Sequence, residues 1–409
     1  MGDILFLSHR IPFPPDRGDK IRSHHVLKAL AQLGPVHVGT FYDDARDQQW
    51  ERQLAQVSAT YCLVRRRKPL PIAGLQAIGS GRALSLAAFD DRRLHSYVRQ
   101  VLARHDVTAI YVFSGQMAQY VPTDFGGRVV ADLVDVDSAK FEAYAARGPR
   151  SARGWLERRE GRLLRREEAR ICSASALTLL ISDAEADLLR SRVAPVSGAI
   201  ATMGNGIDAF EFDPGGVDPE PRLLEQGSPR IVFTGQMDYA PNIEAAMRAI
   251  DRILPMVREA LPSATLHVVG RNPPQALTAR SGREGVTVWG RVDDIRPWLA
   301  GSDIALVPLD IARGVQNKVL EAMSMALPVV LTKGAATGID AVDGRDFIIR
   351  DDDVSIAKAV IDLAQSPDEA RRVGNCARDW IVRNASWEAA LAGLPSHVGT
   401  NARRPLDAA

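Results

Sequence analysis

The sequence predicts an α/β protein with two domains, each a mostly parallel sheet covered by helices on both faces. Three observations carry that expectation. The chain has 409 residues, enough for two domains of ordinary size. Short apolar runs alternate with helically periodic segments through both halves, the pattern of parallel strands joined by crossover helices. Between the halves, residues 213–229 are rich in Pro, Gly and charge and show little periodicity, which reads as a flexible linker.

In the first half, Ile4-Leu5-Phe6-Leu7 reads as a buried strand. A Pro- and Gly-rich loop follows over 11–18. Ile21, His24, His25, Leu27, Leu30 and Leu33 then recur at helical spacing. Further strands are expected at 36–41, 60–64, 109–113, 128–133 and 177–181. Ser182-Asp183-Ala184-Glu185 has the S-x-x-E pattern of a capping box and opens a helix through Leu189. Asn205-Gly206 is a turn signal. In the second half the strands fall at 230–234, 264–269, 286–289, 304–307, 329–331 and 347–349. Helices fill 242–261, 295–300, 316–326, 354–365 and 368–384. The expected division is a first domain at 1–205, a linker at 206–229 and a second domain at 230–376. Helices at 377–395 pack back on the first domain, and 396–409 form a disordered tail.

Hydrophobic content of 46% and charged content of 25% are those of a soluble globular protein. A net charge of +1 gives no argument for nucleic acid. The charge is unevenly placed. Arg65-Arg66-Arg67-Lys68 is one basic run, and 147–170 carries nine arginines against four glutamates. Such stretches read either as solvated faces or as contacts with an anionic membrane surface, where each cation contributes about 1 kcal/mol. Cys62, Cys172 and Cys376 form no C-x-x-C, which points to a reducing compartment. No signal-peptide pattern opens the chain, and no run approaches the ~20 apolar residues of a spanning helix. A cytoplasmic protein is expected, peripheral on the inner face of the membrane if it contacts lipid at all.

In open parallel sheets, ligands bind outside the carboxyl ends of the strands, so loops just after strands hold the candidate residues. After the first strand, Gly18 sits at a helix start, where free amides and the helix dipole favour an anion. Neither the G-x-G-x-x-G fingerprint nor the P-loop pattern is present there, which argues against NAD and against an ATPase. At a later strand end, Asp132-Leu133-Val134-Asp135-Val136-Asp137-Ser138 clusters three carboxylates. Asp135 and Asp137 form a D-x-D. A polar or acid–base role is favoured over a metal, and Asp137 or Ser138 also suits a helix N-cap. In the second half, Gly314-Val315-Gln316-Asn317-Lys318-Val319-Leu320-Glu321 runs from a glycine loop into a helix after the 304–308 strand. Gly314 allows close approach. Arg313, Lys318 and the first-turn amides suit a diphosphate, and Glu321 suits a ribose diol. Such a ligand is a nucleotide sugar. The plain alternative is an exposed i,i+3 Lys–Glu pair of about 0.2–0.5 kcal/mol.

Several blocks in order then resemble the family 4 glycosyltransferases of GT-B fold. They are Gly18; Ser182–Glu185; Gly204-Asn205-Gly206-Ile207-Asp208; Phe233-Thr234-Gly235; Val268-Val269-Gly270; Trp289-Gly290-Arg291-Val292; and Lys318 to Met323 followed by Pro328-Val329-Val330. More narrowly, the segments from Ser8 to Arg22, Asp135 to Ser138 and Arg313 to Met323 resemble sugar transferases of exosortase and PEP-CTERM exopolysaccharide systems. The resemblance spans about residues 1–395. It implies two Rossmann-like domains facing a central cleft. It also implies retaining transfer from a nucleoside diphosphate sugar to a glycan or lipid-linked acceptor, with no cofactor and no essential metal. The implied donor-binding residues are Gly18, Gly235, Gly270, Arg271, Arg313, Gly314, Val315, Gln316, Asn317, Lys318 and Glu321. The implied catalytic residues are Asp135, Asp137, Lys318 and Glu321. Glu321 matches the second carboxylate of the family's E-x7-E motif, while Arg313 stands at the first. The family's Arg and Lys after the glycine that opens the second half fall on Gln236 and Pro241. The alternatives are a nucleotide-sugar epimerase of the same fold and a non-catalytic nucleotide-sugar-binding scaffold.

Overall fold

The computed structural model describes residues 2–15, 17–66, 68–147, 152–193, 195–310 and 315–399. Arg67, Arg313, Gly314 and the tail from 400 onward lie outside them. The chain forms two compact units. One holds Met1–Asn205 and the chain from Ala390 onward, and the other holds Gly206–Ala389.

The first unit is built on a seven-stranded parallel sheet of β1 (Asp3–Ser8), β2 (Val36–Tyr42), β3 (Thr60–Arg65), β4 (Val107–Phe113), β5 (Arg128–Val134), β6 (Leu177–Leu180) and β7 (Ala199–Thr202). Its order is β3-β2-β1-β4-β5-β6-β7. Ile4, Leu5, Phe6 and Leu7 are all buried, because β1 lies mid-sheet with helices on both faces. Leu94, Val98 and Val101 of the Arg92–Arg104 helix pack with Leu5, Leu7, Ile110 and Val112 in one core.

The second unit repeats the plan in six parallel strands. These are β8 (Arg230–Thr234), β9 (Thr265–Val269), β10 (Val286–Gly290), β11 (Ile304–Val307), β12 (Val329–Leu331) and β13 (Ile348–Ile349). Their order is β10-β9-β8-β11-β12-β13. In each sheet the chain reverses its direction of travel across the sheet beside the first strand of that unit, and the carboxyl ends there form the natural ligand crevice. Val319, Leu320 and Met323 of the Asn317–Ser324 helix are buried in this core with Val307 and Val330.

Five expectations change. The edge strand β7 is additional. The 206–229 segment belongs to the second unit: its Pro221–Leu224 turn of helix buries Leu223 completely in that core. Arg222 lies over the rings of Trp289 and Trp298, at 5.3 and 5.2 Å. The boundary placed at 376 falls inside one continuous helix, Pro367–Asn384, whose Val373, Ala377 and Ile381 are all in the second core. Residues 396–399 of the expected tail are placed on the first unit: a short Leu394–His397 helix forms, Leu394 and Val398 are buried, and His397 O accepts from Arg128 Nε at 2.5 Å. Half of the expected capping box forms. The Glu185 amide donates to Ser182 Oγ at 3.3 Å, but the Glu185 carboxylate turns to the Val136 amide at 2.8 Å. Among the described residues, no helix is long and apolar enough to cross a membrane.

Candidate functional site

A pocket of about 690 Å³ opens in the second unit at the carboxyl ends of β8, β9 and β10 and the start of the Asn317–Ser324 helix. Two glycines let its walls meet. Gly235 has φ 153°, and a side chain there would meet Asn242 Nδ2 at 2.9 Å and Lys318 Nζ at 3.0 Å. A Cβ on Gly270 would collide with the Gly235 carbonyl oxygen. Bulkier residues at either position would close the crevice from within.

The described lining includes three cations, Arg271, Arg291 and Lys318, and one carboxylate, Glu321. Arg271 and Arg291 are exposed, while Lys318 and Glu321 are partly buried. Lys318 does not simply pair with Glu321 on a solvated face. Its Nζ donates to Asn242 Oδ1 at 2.5 Å and lies 4.9 Å from the Phe233 ring centroid. Burial lowers the Lys318 pKa from 10.5 to about 8, with Glu321 acting in the opposite direction. Burial also raises the Glu321 pKa, and Lys318 opposes that rise. Asn242 is fixed in turn by its Nδ2 donating to Gln236 O at 2.9 Å. Gln236 stands where an arginine was expected. With its amide oxygen oriented as acceptor, Gln236 receives Arg271 Nη2 at 2.5 Å and Nε at 3.0 Å. A guanidinium is therefore held beside the same loop, delivered from the end of β9. Pro241 opens the Ala240–Arg248 helix and supplies no cation. The first-turn amides of the Asn317–Ser324 helix lack intrahelical acceptors and add positive potential. Three cations facing one carboxylate suit a dianionic group joined to a hydroxylated one.

On the first unit, Gly18 begins the Gly18–Leu33 helix, and a Cβ there would meet nothing within 4 Å. The space in front of it is open. Asp19 is burdened by burial, yet hydrogen bonds from His9 and Arg10 hold its carboxyl well below the usual range. Of the three carboxylates at the end of β5 and just after it, Asp132, inside the strand, is structural. It is fully buried against Arg22, which donates to it at 2.9 and 3.2 Å, and Tyr111 Oη donates at 2.8 Å. Asp135 and Asp137 point to Lys140 Nζ, at 2.7 and 3.3 Å. Among the described residues, the D-x-D belongs to no cluster of three or more possible metal ligands. Asp137 opens the Asp137–Arg147 helix, and Ser138 donates to the buried Glu168 instead of capping.

The pocket thus gathers Gly235, Gly270, Arg271, Val315, Gln316, Asn317, Lys318 and Glu321. Arg313 and Gly314 lie outside the described residues. Gly18, Asp135 and Asp137 belong to the first unit. The functional assignment from sequence missed Asn242, Gln236 and Arg291. Arg291 had a usable signal, because it directly follows Gly290 at a strand end with φ 71°. Asn242 had none beyond its place near a helix start.

Residues 228–366, which include the whole pocket, match the family model described as glycosyl transferases group 1. The alpha-maltose-1-phosphate synthase of Mycolicibacterium smegmatis is 24% identical over 241 residues, 54% of this chain, and the match spans 62% of that relative's length. Among solved structures, Anabaena HepE in complex with UDP and glucose is similar at a TM-score of 0.56 and 14% identity, over 97% of this chain and 99% of that one. Sucrose-phosphate synthase from Thermosynechococcus elongatus is similar at a TM-score of 0.57 and 15% identity, over 97% and 98%. The fold is that of the GT-B glycosyltransferases, with two Rossmann-like parallel-sheet domains.

Proposed function

We infer that this glycosyltransferase moves a sugar, with retention, from a nucleoside diphosphate sugar to a glycan or lipid-linked acceptor in exopolysaccharide synthesis. The observation that carries the reading is the pocket of Arg271, Arg291 and Lys318 around the single described carboxylate of Glu321, inside the segment that matches the group 1 model. HepE, of like fold, is known in complex with UDP-glucose. The exopolysaccharide role rests on the likeness of three sequence segments to PEP-CTERM-associated transferases.

In this reading the diphosphate lies against the three cations and the helix amides, which stabilise the charge that develops as the anomeric C–O bond breaks. Glu321 accepts the ribose hydroxyls. The acceptor hydroxyl bonds to the anomeric carbon on the face the phosphate leaves, and its proton passes to the departing phosphate oxygen. Asp135, Asp137 and Gly18, to which the resemblance gives acceptor and phosphate roles, belong to the first unit. No cofactor takes part and no metal is essential to the transfer.

The acceptor is read as lipid-linked, and the enzyme as cytoplasmic and peripheral on the membrane. The support is an apolar face on the Leu70–Gly79 helix: Ile72, Leu75 and Ile78 are exposed. Arg159 of the Ala152–Ala174 helix donates to Ala77 O at 2.7 Å, which sets exposed Trp155, Arg158 and Arg162 on a neighbouring element. The Arg65 run contributes less than its sequence suggests. Arg66 is paired with Asp43 at 2.6 Å, and Lys68 donates to Ala87 O and Asp90 O.

A nucleotide-release assay over a panel of UDP and GDP sugars, with and without lipid-linked acceptors, tests the reading. Glu321→Ala should lower donor kcat/KM by about 10–100-fold, the worth of charged hydrogen bonds at ~1.5–3 kcal/mol. Near-wild-type turnover in that variant would remove the assignment. Donor turnover without any acceptor would favour the epimerase alternative.

A further inference from the structure

Three possible ligand atoms of the first unit converge on residues given no role above. Asp3 is the first residue of β1, His37 the second of β2, and His105 closes the Arg92–Arg104 helix just before β4. These three strands are neighbours at the centre of the sheet. All three residues sit at the amino ends of the strands, the edge opposite the ligand crevice.

Both imidazoles approach one carboxylate oxygen. Asp3 Oδ2 lies 2.9 Å from His37 Nε2 and 3.5 Å from His105 Nδ1. The three ligand atoms are mutually within 4.8 Å. The rings are 4.1 Å apart and tilted by 45°. Ligands bound tetrahedrally at ~2.0–2.1 Å stand about 3.3 Å from one another, so both measured separations are near that edge. A further feature distinguishes the cluster from a chance contact. His37 Nδ1 is 2.8 Å from Thr60 Oγ1, which is itself 2.8 Å from Tyr97 Oη. An Nδ1–H donated to Thr60 turns the Nε2 lone pair toward Asp3 Oδ2. That outer contact is the usual device for fixing the tautomer and aim of a metal-ligating histidine. Access is also graded. The His37 side chain is 1% exposed, Asp3 20% and His105 35%, so one side is rigid and the other reaches solvent.

We propose that Asp3 Oδ2, His37 Nε2 and His105 Nδ1 form a site for one divalent transition metal of the zinc class, with water completing the coordination. Two imidazoles and one carboxylate suit zinc better than magnesium or calcium, which prefer all-oxygen shells. The metal ties the starts of β1 and β2 to the junction before β4. Its role is structural, and it takes no part in sugar transfer.

The test uses the full chain stripped with EDTA, desalted and reloaded with zinc. Mass spectrometry counts metal per chain, and circular dichroism follows melting. One zinc per chain is expected, with melting raised by about 5 °C or more at 100-fold excess over Kd. His105→Ala should lose stoichiometric binding and the shift, while retaining the fold of the stripped protein. Thr60→Val should weaken binding by about 10–100-fold with the ligands intact. Nucleotide release by stripped and reloaded protein should be equal at 25 °C, whichever donor is used. Overturning results are no bound zinc and no shift in the wild type, or equal binding by His105→Ala, which would place the metal elsewhere.

Discussion

Replacing Lys318 by methionine keeps the length and apolar stem of the side chain and removes its charge. The lowering from 10.5 to about 8 means that the folded protein holds this ammonium at a cost of about 3 kcal/mol at neutral pH. The sign follows from proton counts. Between pH 8 and 10.5 the unfolded chain binds the proton and the folded chain does not, so stability rises with pH across that window. The cost is fully present below it. Methionine removes this cost. It also removes the 2.5 Å bond to Asn242 Oδ1 and the counter-charge near Glu321, a loss of about 1.5–3 kcal/mol. The two effects nearly cancel, so urea unfolding should shift by less than about 1.5 kcal/mol in either direction. Activity should not be spared. On the proposed function, a partly buried cation at a leaving phosphate contributes about 2.7–4 kcal/mol to the transition state, so nucleotide release should fall by about 10²–10³-fold. Measuring both quantities on one preparation separates the roles. A large loss of stability with normal turnover per folded molecule would refute the reasoning and make Lys318 a structural lysine.

The same lysine should shape the pH profile: donor kcat/KM should fall with one proton lost above pH about 8, and a profile flat to higher pH would deny that its charge matters. Gly235→Ala should cost about 1–3 kcal/mol and depress donor use, because its Cβ meets Asn242 and Lys318 in a left-handed backbone region; unchanged melting and KM would show that the loop yields freely. Arg22→Met should destabilise the first unit by about 3–5 kcal/mol by stranding buried Asp132; calorimetry decides, and a shift under about 1 kcal/mol would show that Asp132 is solvated. Leu75→Glu, at a position 74% exposed, should leave melting unchanged and reduce sedimentation with anionic vesicles by about tenfold. Equal sedimentation would remove the apolar helix from any membrane role.

Twelve of the thirteen strands were legible because a parallel strand buried on both faces must be written as a run such as Ile4-Leu5-Phe6-Leu7. The strand β7, Ala-Ile-Ala-Thr, escaped because its four residues carry one bulky apolar side chain and none of them is buried. Composition misled at 206–229, where Pro, Gly and charge concealed Ile207 and Leu223, both buried in the second core. The site divides along the same line. Lys318 and Glu321 were visible because their spacing on one helix is local. Arg271 serving the place vacated at Gln236, and Asn242 receiving Lys318, depend on loops after different strands meeting. Periodicity also could not rank the carboxylates at the end of β5. Two buried partners, Arg22 and Tyr111, separate Asp132 from Asp135 and Asp137.

The chain passes between its two units twice, after Asn205 and after Ala389. The two units are therefore unequal as pieces of polypeptide. The second is one uninterrupted stretch and can be encoded by itself. The first is split, and a gene truncated after residue 205 would lack Leu394 and Val398, which are buried in the native chain. A protease nick near Asn205 leaves the units joined through the later crossing, so fragments would separate only after a second cut. Dissection of this protein should therefore begin with 206–389, and any isolated first unit should carry a short graft from residue 205 to 390.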